Sequence, residues 1–275
     1  MKNKRLITTL FIIIFLIIII AIIQFAKFPV ASRVAISSYT SSKQEFIAHR
    51  GLSSVFPENS IPAIEGAIQK GFYGCEFDIH TTKDGKWILN HDSDIDKMTN
   101  GSGNISEMSY SEILNFSIDN GNGIKNYPDL KLPLLEDALR IISESHIVPF
   151  IEIKGYDPLS FENLIEIIDN FNLIEKAVII SFDMEALLCI RAINTNIKLM
   201  YLTNNLTKND VDTCLKNGNI GVNINFGNIL KMTDALKYAR ENNLATAAWT
   251  VDIPIASDIM NLFGIRYITT NRIYP

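Results

Sequence analysis

From residue 44 onward the chain alternates short β-rich runs with longer amphipathic segments. This rhythm limits the folds open to it more than any other feature of the sequence. Runs rich in β-branched and aromatic residues fall at 45–49, 73–79, 148–153, 177–181, 197–202, 221–224, 245–250 and 267–270. Helical patterns lie between them at about 59–70, 134–145, 158–170, 184–193, 208–217, 229–242 and 254–262. Such alternation predicts a parallel sheet joined by crossover helices. Eight strands over 44–275 suit a closed (β/α)8 TIM barrel, although the count alone leaves an open doubly wound sheet available. The rhythm breaks once, between His80 and Leu132, where a short run at 86–90 precedes a long Gly-, Ser- and Asn-rich stretch. Long excursions inside compact domains are usually functional or disordered, and the His91-Asp92 pair within this one favours function.

The N-terminal residues have a different character. Leu6 to Phe25 is interrupted by only Thr8, Thr9 and Gln24, and twenty residues at helical rise span roughly 30 Å of hydrocarbon. A cleaved signal peptide is the competing reading, since small residues follow at 31–35, but its apolar core usually stops at about 7–15 residues. Lys2, Lys4 and Arg5 precede the run. The expectation is therefore a cytoplasmic basic N-terminus at 1–5, a transmembrane helix at 6–25, a linker at 26–43 and an extracytoplasmic domain at 44–275, single-pass in the cell membrane.

Charge narrows the partners. Setting aside those three cations leaves 22 basic residues against 30 acidic ones, which gives no electrostatic footprint for nucleic acid. A phosphate compound needs some local reversal of sign. Cys75, Cys189 and Cys214 are odd in number and widely spaced, and with only four histidines neither a disulfide framework nor a structural zinc site is expected. No obligate protein partner is evident.

The acids show a pattern. In the run at 73–79, period-two alternation puts Cys75, Phe77 and Ile79 on one face and Glu76 and Asp78, followed by His80, on the other. In a parallel barrel the apolar face meets the outer helices, so both acids point inward. Glu152 and Lys154 alternate with Ile151 and Ile153 in the same way. Three inward carboxylates repel unless a cation binds or a proton is taken up, and all-oxygen ligation suits a hard ion such as Mg²⁺ or Ca²⁺. The bland alternative is buried pairing with Lys154 and Arg50. His49 and His91 each end a β-rich run, and two imidazoles can exchange protons near neutral pH, with nearby carboxylates expected to raise their pKa. His80 and His146 need no role beyond lining the barrel mouth and meeting a helix end. Asn59 is expected to cap the helix that follows, and Glu58 to serve its dipole.

Taken together, His49-Arg50-Gly51, Pro57-Glu58-Asn59-Ser60, Glu76-Phe77-Asp78, Thr82-Lys83-Asp84-Gly85, His91-Asp92 and Glu152-Ile153-Lys154 resemble, in order and spacing, the glycerophosphodiester phosphodiesterase family. The resemblance implies a (β/α)8 barrel with a small inserted cap at 80–131. It implies one divalent cation, Mg²⁺ or Ca²⁺, held by Glu76, Asp78 and Glu152. It implies an acid–base pair, His49 and His91, with Arg50 and Lys154 on the phosphate oxygens and Trp249 facing the substrate. The expected substrate is a small-molecule or lipid-headgroup phosphodiester, cleaved to sn-glycerol 3-phosphate or a related phosphomonoester and an alcohol. The alternatives are a phospholipid-cleaving relative, either phosphatidylinositol phospholipase C-like or sphingomyelinase D-like, and a catalytically silent surface-binding barrel. One departure stands out: Thr270-Asn271 replaces the Thr-Asp that usually ends the family's last strand.

Overall fold

The computed structural model describes residues 44–275. The expected transmembrane helix at 6–25 and linker at 26–43 lie outside the described residues. Among the described residues no helix is long and apolar enough to cross a membrane.

One sheet contains β1 (Glu45–Ala48), β2 (Gly74–Thr81), β3 (Trp87–Leu89), β4 (Val148–Gly155), β5 (Val178–Ser181), β6 (Lys198–Thr203), β7 (Gly221–Asn225), β8 (Thr246–Trp249) and β9 (Tyr267–Thr270). Eight of these strands pair in parallel around a ring, and the β1–β9 pairing of Glu45 with Tyr267 through Ala48 with Thr270 closes it. Closure excludes the open sheet. β3 stands outside the ring, antiparallel to β2, with Ile79 opposite Leu89. The helices are α1 (Ile61–Gln69), α2 (Tyr110–Ile113), α3 (Leu135–Ser143), α4 (Phe161–Asn170), α5 (Met184–Ile193), α6 (Lys208–Lys216), α7 (Thr233–Glu241) and α8 (Pro254–Leu262). Two expected helices are divided at their N-terminal ends. A 3-10 turn at Pro158–Ser160 leads into α4, and another at Phe226–Lys231 precedes α7.

Alternation sorts the side chains as the sequence predicts. Cys75, Phe77 and Ile79 pack outward with Leu135, Leu139 and Leu187 beneath the helices. Ile47, Phe150, Val178, Ile180, Met200, Leu202 and Ala247 fill the barrel interior. Toward the C-terminal ends of the strands the interior turns polar: Glu76, Asp78, Glu152, Asn223 and Thr269 are all buried there. That change places the chemistry at one end of the barrel, where functional residues of this architecture gather.

The excursion after β2 is an ordered cap. Thr82 to Lys86 forms a tight hairpin, closed by Thr82 N–H to the Lys86 carbonyl at 2.8 Å and by Gly85 at φ +75°. It sends the chain back over the barrel along β3. Ile88, Ile95, Met98, Ile105, Ile113, Ile118 and Leu132 then form a separate small core. Isoleucines scattered among polar residues carry no period, because they converge from turns rather than from one helix face.

Candidate active site

The site begins where β1 ends. Arg50 (φ 56°) and Gly51 (φ 75°) adopt left-handed backbone, which wheels the chain away from the strand. A Cβ on Gly51 would lie 2.6 Å from the Ala63 backbone, so only glycine fits there. The turn aims the Arg50 N–H at Glu76 Oε2, 2.9 Å away. Sequence proximity thus becomes a direct link between the first two barrel strands.

Glu76 and Asp78 stand on β2, and the register sets Asp78 directly beside Glu152 of β4. The three carboxylates offer oxygens that all lie within 4.8 Å of one another. Arg50 Nε is 3.3 Å from Asp78 Oδ2, and Lys154 Nζ is 2.6 Å from Glu152 Oε1 and 3.5 Å from Asp78 Oδ1. The pairing with Arg50 and Lys154 that the sequence left open is therefore present, but it does not saturate the cluster. Glu76 Oε1 is buried without a hydrogen-bond partner. Burial, then Asp78 and Glu152, hold the Glu76 carboxyl well above the usual range; burial and Asp78 raise Glu152 to about 7. An orphaned buried oxygen beside two more carboxylates fits a hard divalent cation, by the chemistry of its donors.

Two neighbours act otherwise than expected. Ser60, not Asn59, caps α1, accepting from the Ala63 N–H. Asn59, itself in left-handed backbone, donates its Nδ2 to Asp78 Oδ2 at 2.8 Å and accepts the Asp78 N–H at 3.0 Å. Glu58 pairs with Arg50 at 3.0 Å and with Lys97 at 3.3 Å, so it serves the site's charge balance.

The histidines flank the acids. His49 Nδ1 lies 2.9 Å from Asn271 Oδ1, and its Nε2 is 4.0 Å from Glu76 Oε2. Its pKa is lowered, against the expectation that carboxylates would raise it, because burial and then the Arg50 charge outweigh them. His91 hangs from the cap hairpin with Nδ1 2.7 Å from Asp92 Oδ1. His80 is buried, with Nε2 3.1 Å from the His91 carbonyl oxygen, and supports that backbone. His146 lies away from the site, before β4, with Nε2 3.1 Å from the Phe72 carbonyl oxygen.

A cleft of about 100 Å³ joins these groups. His49, Arg50, Glu76, His91, Glu152 and Lys154 line one side, and Ile180, Phe182, Leu202 and Trp249 the other. Seven of the eight residues singled out in the sequence therefore share one cleft, and Asp78 lies just beneath it. Trp249 is partly exposed there, edge-on to Phe182 at 5.4 Å, and also packs against the barrel-interior core, so it serves both the cleft wall and the core. Asp252 and Phe182 carry no local sequence signal that would have marked them, and Asn59 stands out in the sequence only as an expected cap within Pro57-Glu58-Asn59-Ser60, not as a partner of Asp78.

A model of the glycerophosphoryl diester phosphodiesterase family matches residues 49–274. The chain belongs to that family. This family member is 32% identical to a glycerophosphodiester phosphodiesterase of Caldanaerobacter subterraneus over 156 residues, 56% of this chain and 64% of that protein. It spans about half to two thirds of the length of the curated relatives it matches. A solved glycerophosphodiester phosphodiesterase from Parabacteroides distasonis is similar at a TM-score of 0.72 and 26% identity, covering 84% of this chain and 93% of that one. An Oleispira antarctica phosphodiesterase, solved with its product sn-glycerol-3-phosphate, shares the fold at a TM-score of 0.75 and 20% identity, covering 85% and 94%.

Proposed function

We propose that this chain is a divalent-cation-dependent phosphodiesterase that hydrolyses glycerophosphodiesters to glycerol phosphate and an alcohol. The observation that carries the reading is the convergence of His49, His91, Glu76, Asp78 and Glu152 at one cleft, with the Glu76 oxygen left unpartnered inside it. Family membership, and the product seen in the Oleispira relative, support the same substrate class.

Glu76, Asp78 and Glu152 would hold the cation, Mg²⁺ or Ca²⁺. When bound, it supplies Lewis-acid polarisation of a phosphoryl oxygen. Arg50 and Lys154 bring two positive charges to an otherwise acidic domain and receive the remaining phosphoryl oxygens. His49, whose lowered pKa favours the neutral ring, takes the proton of the attacking oxygen at Nε2. His91, backed by the Asp92 carboxylate, gives a proton to the leaving oxygen as the P–O bond breaks. Trp249 and Phe182 pack against the carbon portion of the substrate. The test is a panel of glycerophosphodiesters incubated with the full chain and Mg²⁺ or Ca²⁺ in parallel. Glycerol phosphate release is expected; no turnover of any member would return the silent-barrel reading.

One observation favours a lipid substrate as a second reading. The four most exposed large apolar side chains among the described residues are Leu159 (88%), Leu230 (77%), Ile255 (68%) and Ile253 (55%), and all follow barrel strands at the site end. Faster cleavage of intact lysophospholipid than of its deacylated headgroup would select this reading.

A further inference from the structure

Asn271 directly follows β9, and its side chain joins the end of that strand to His49. The Asn271 side-chain oxygen faces His49 Nδ1 at 2.9 Å, with Ser53 Oγ also 3.1 Å from it. Its Nδ2 donates to Asp252 Oδ2 at 3.0 Å. The other Asp252 oxygen accepts the Asn271 backbone N–H at 2.7 Å and the Thr270 hydroxyl at 3.2 Å. A carboxylate can only accept, so Asp252 dictates which end of the Asn271 amide points at it and which points at the imidazole.

The structure assigns Asp252 as a positioning residue that acts through the Asn271 amide to hold His49 with its proton on Nδ1 and its lone pair on Nε2. An amide oxygen at Nδ1 requires a donor there, and Nε2 is then the basic nitrogen on the cleft side, toward Glu76. The amide is uncharged, so it orients the ring without placing a carboxylate against it. This inference rests on the proposed role of His49 as the proton acceptor.

The hydrogen-bond pattern makes the test sharp. In Asp252→Asn, the fixed backbone N–H of Asn271 keeps the acceptor end of the new side chain. The new NH₂ then faces Asn271, whose amide must turn over and present a donor to His49. The imidazole responds by moving its proton to Nε2, the wrong nitrogen for accepting one. Adding Asn271→Asp restores an acceptor behind His49, supported now by the amide introduced at position 252.

The experiment is ¹⁵N NMR of the full chain with labelled histidine, alongside steady-state kinetics. Wild type is expected to show the Nδ1–H form at His49. Asp252→Asn is expected to show the Nε2–H form and a kcat lowered roughly 10- to 100-fold with KM little changed, while the double variant restores both. An Nε2–H signature in wild type overturns the assignment. So does an Asp252→Asn protein that keeps its tautomer, whether or not kcat falls. The NMR signature decides this point even if no phosphodiester is turned over, which separates its failure from that of the proposed activity.

Discussion

At the scale of single residues, the site is a charge problem solved by geometry. His49→Ala and His91→Ala are each expected to lower kcat by roughly 10²- to 10⁴-fold while leaving the folded state intact by circular dichroism. Near-normal turnover in either would remove it from the chemistry. Glu76→Gln is expected to leave the ion-free protein at least as stable as wild type, since Oε1 of the buried carboxyl has no partner and an amide oxygen can keep the Arg50 N–H contact made by Oε2. It should also abolish the rise in melting temperature caused by Mg²⁺ or Ca²⁺; a retained rise would place the cation elsewhere. The inward acids were legible because a strand's two-residue period is rigid: once Cys75, Phe77 and Ile79 face the helices, Glu76 and Asp78 have only one direction left. The Asn59 clasp on Asp78 and the Asp252–Asn271 relay were not legible. They join residues 19 positions apart in each case, through loops whose backbone follows no period.

At the scale of elements, the strand and helix rhythm is legible almost to the residue at α5, α8 and β9, where periodic segments end at turns. The cap is not, since its core is assembled from turns, and its one early strand proves to be an antiparallel return outside the ring. That hairpin matters because it carries His91. Ile105 is a buried anchor of the cap core. Ile105→Ala should destabilise the cap by about 2–4 kcal/mol and lower kcat through displacement of His91, with the barrel intact. Amide exchange would show faster exchange at 95–118 than in the barrel strands; uniform exchange would mean the cap and barrel unfold as one unit.

At the scale of the whole molecule, ionisation ties stability to the cation. Glu152 is raised to about 7 and Glu76 is also raised, so in the ion-free protein these groups keep protons that the unfolded chain has already released. Their contribution therefore turns against the fold as pH climbs from the unfolded carboxyl value, about 4.3, toward 7. The lowered His49 and His80 act in the opposite sense, taking stability away as pH falls below 6.5. A bound cation displaces the acids' protons, so its stabilising effect should grow as pH rises through about 7. Thermal shifts with Mg²⁺ or Ca²⁺ at acid and alkaline pH check this; equal shifts would contradict it.

The most direct measurement is glycerol phosphate release from a glycerophosphodiester by the full chain, before exhaustive chelation, after it, and after Mg²⁺ or Ca²⁺ is returned. The account predicts turnover, its loss, and its recovery, with His49→Ala slower than wild type by at least about 100-fold wherever wild type turns over. Undiminished turnover after chelation would contradict it.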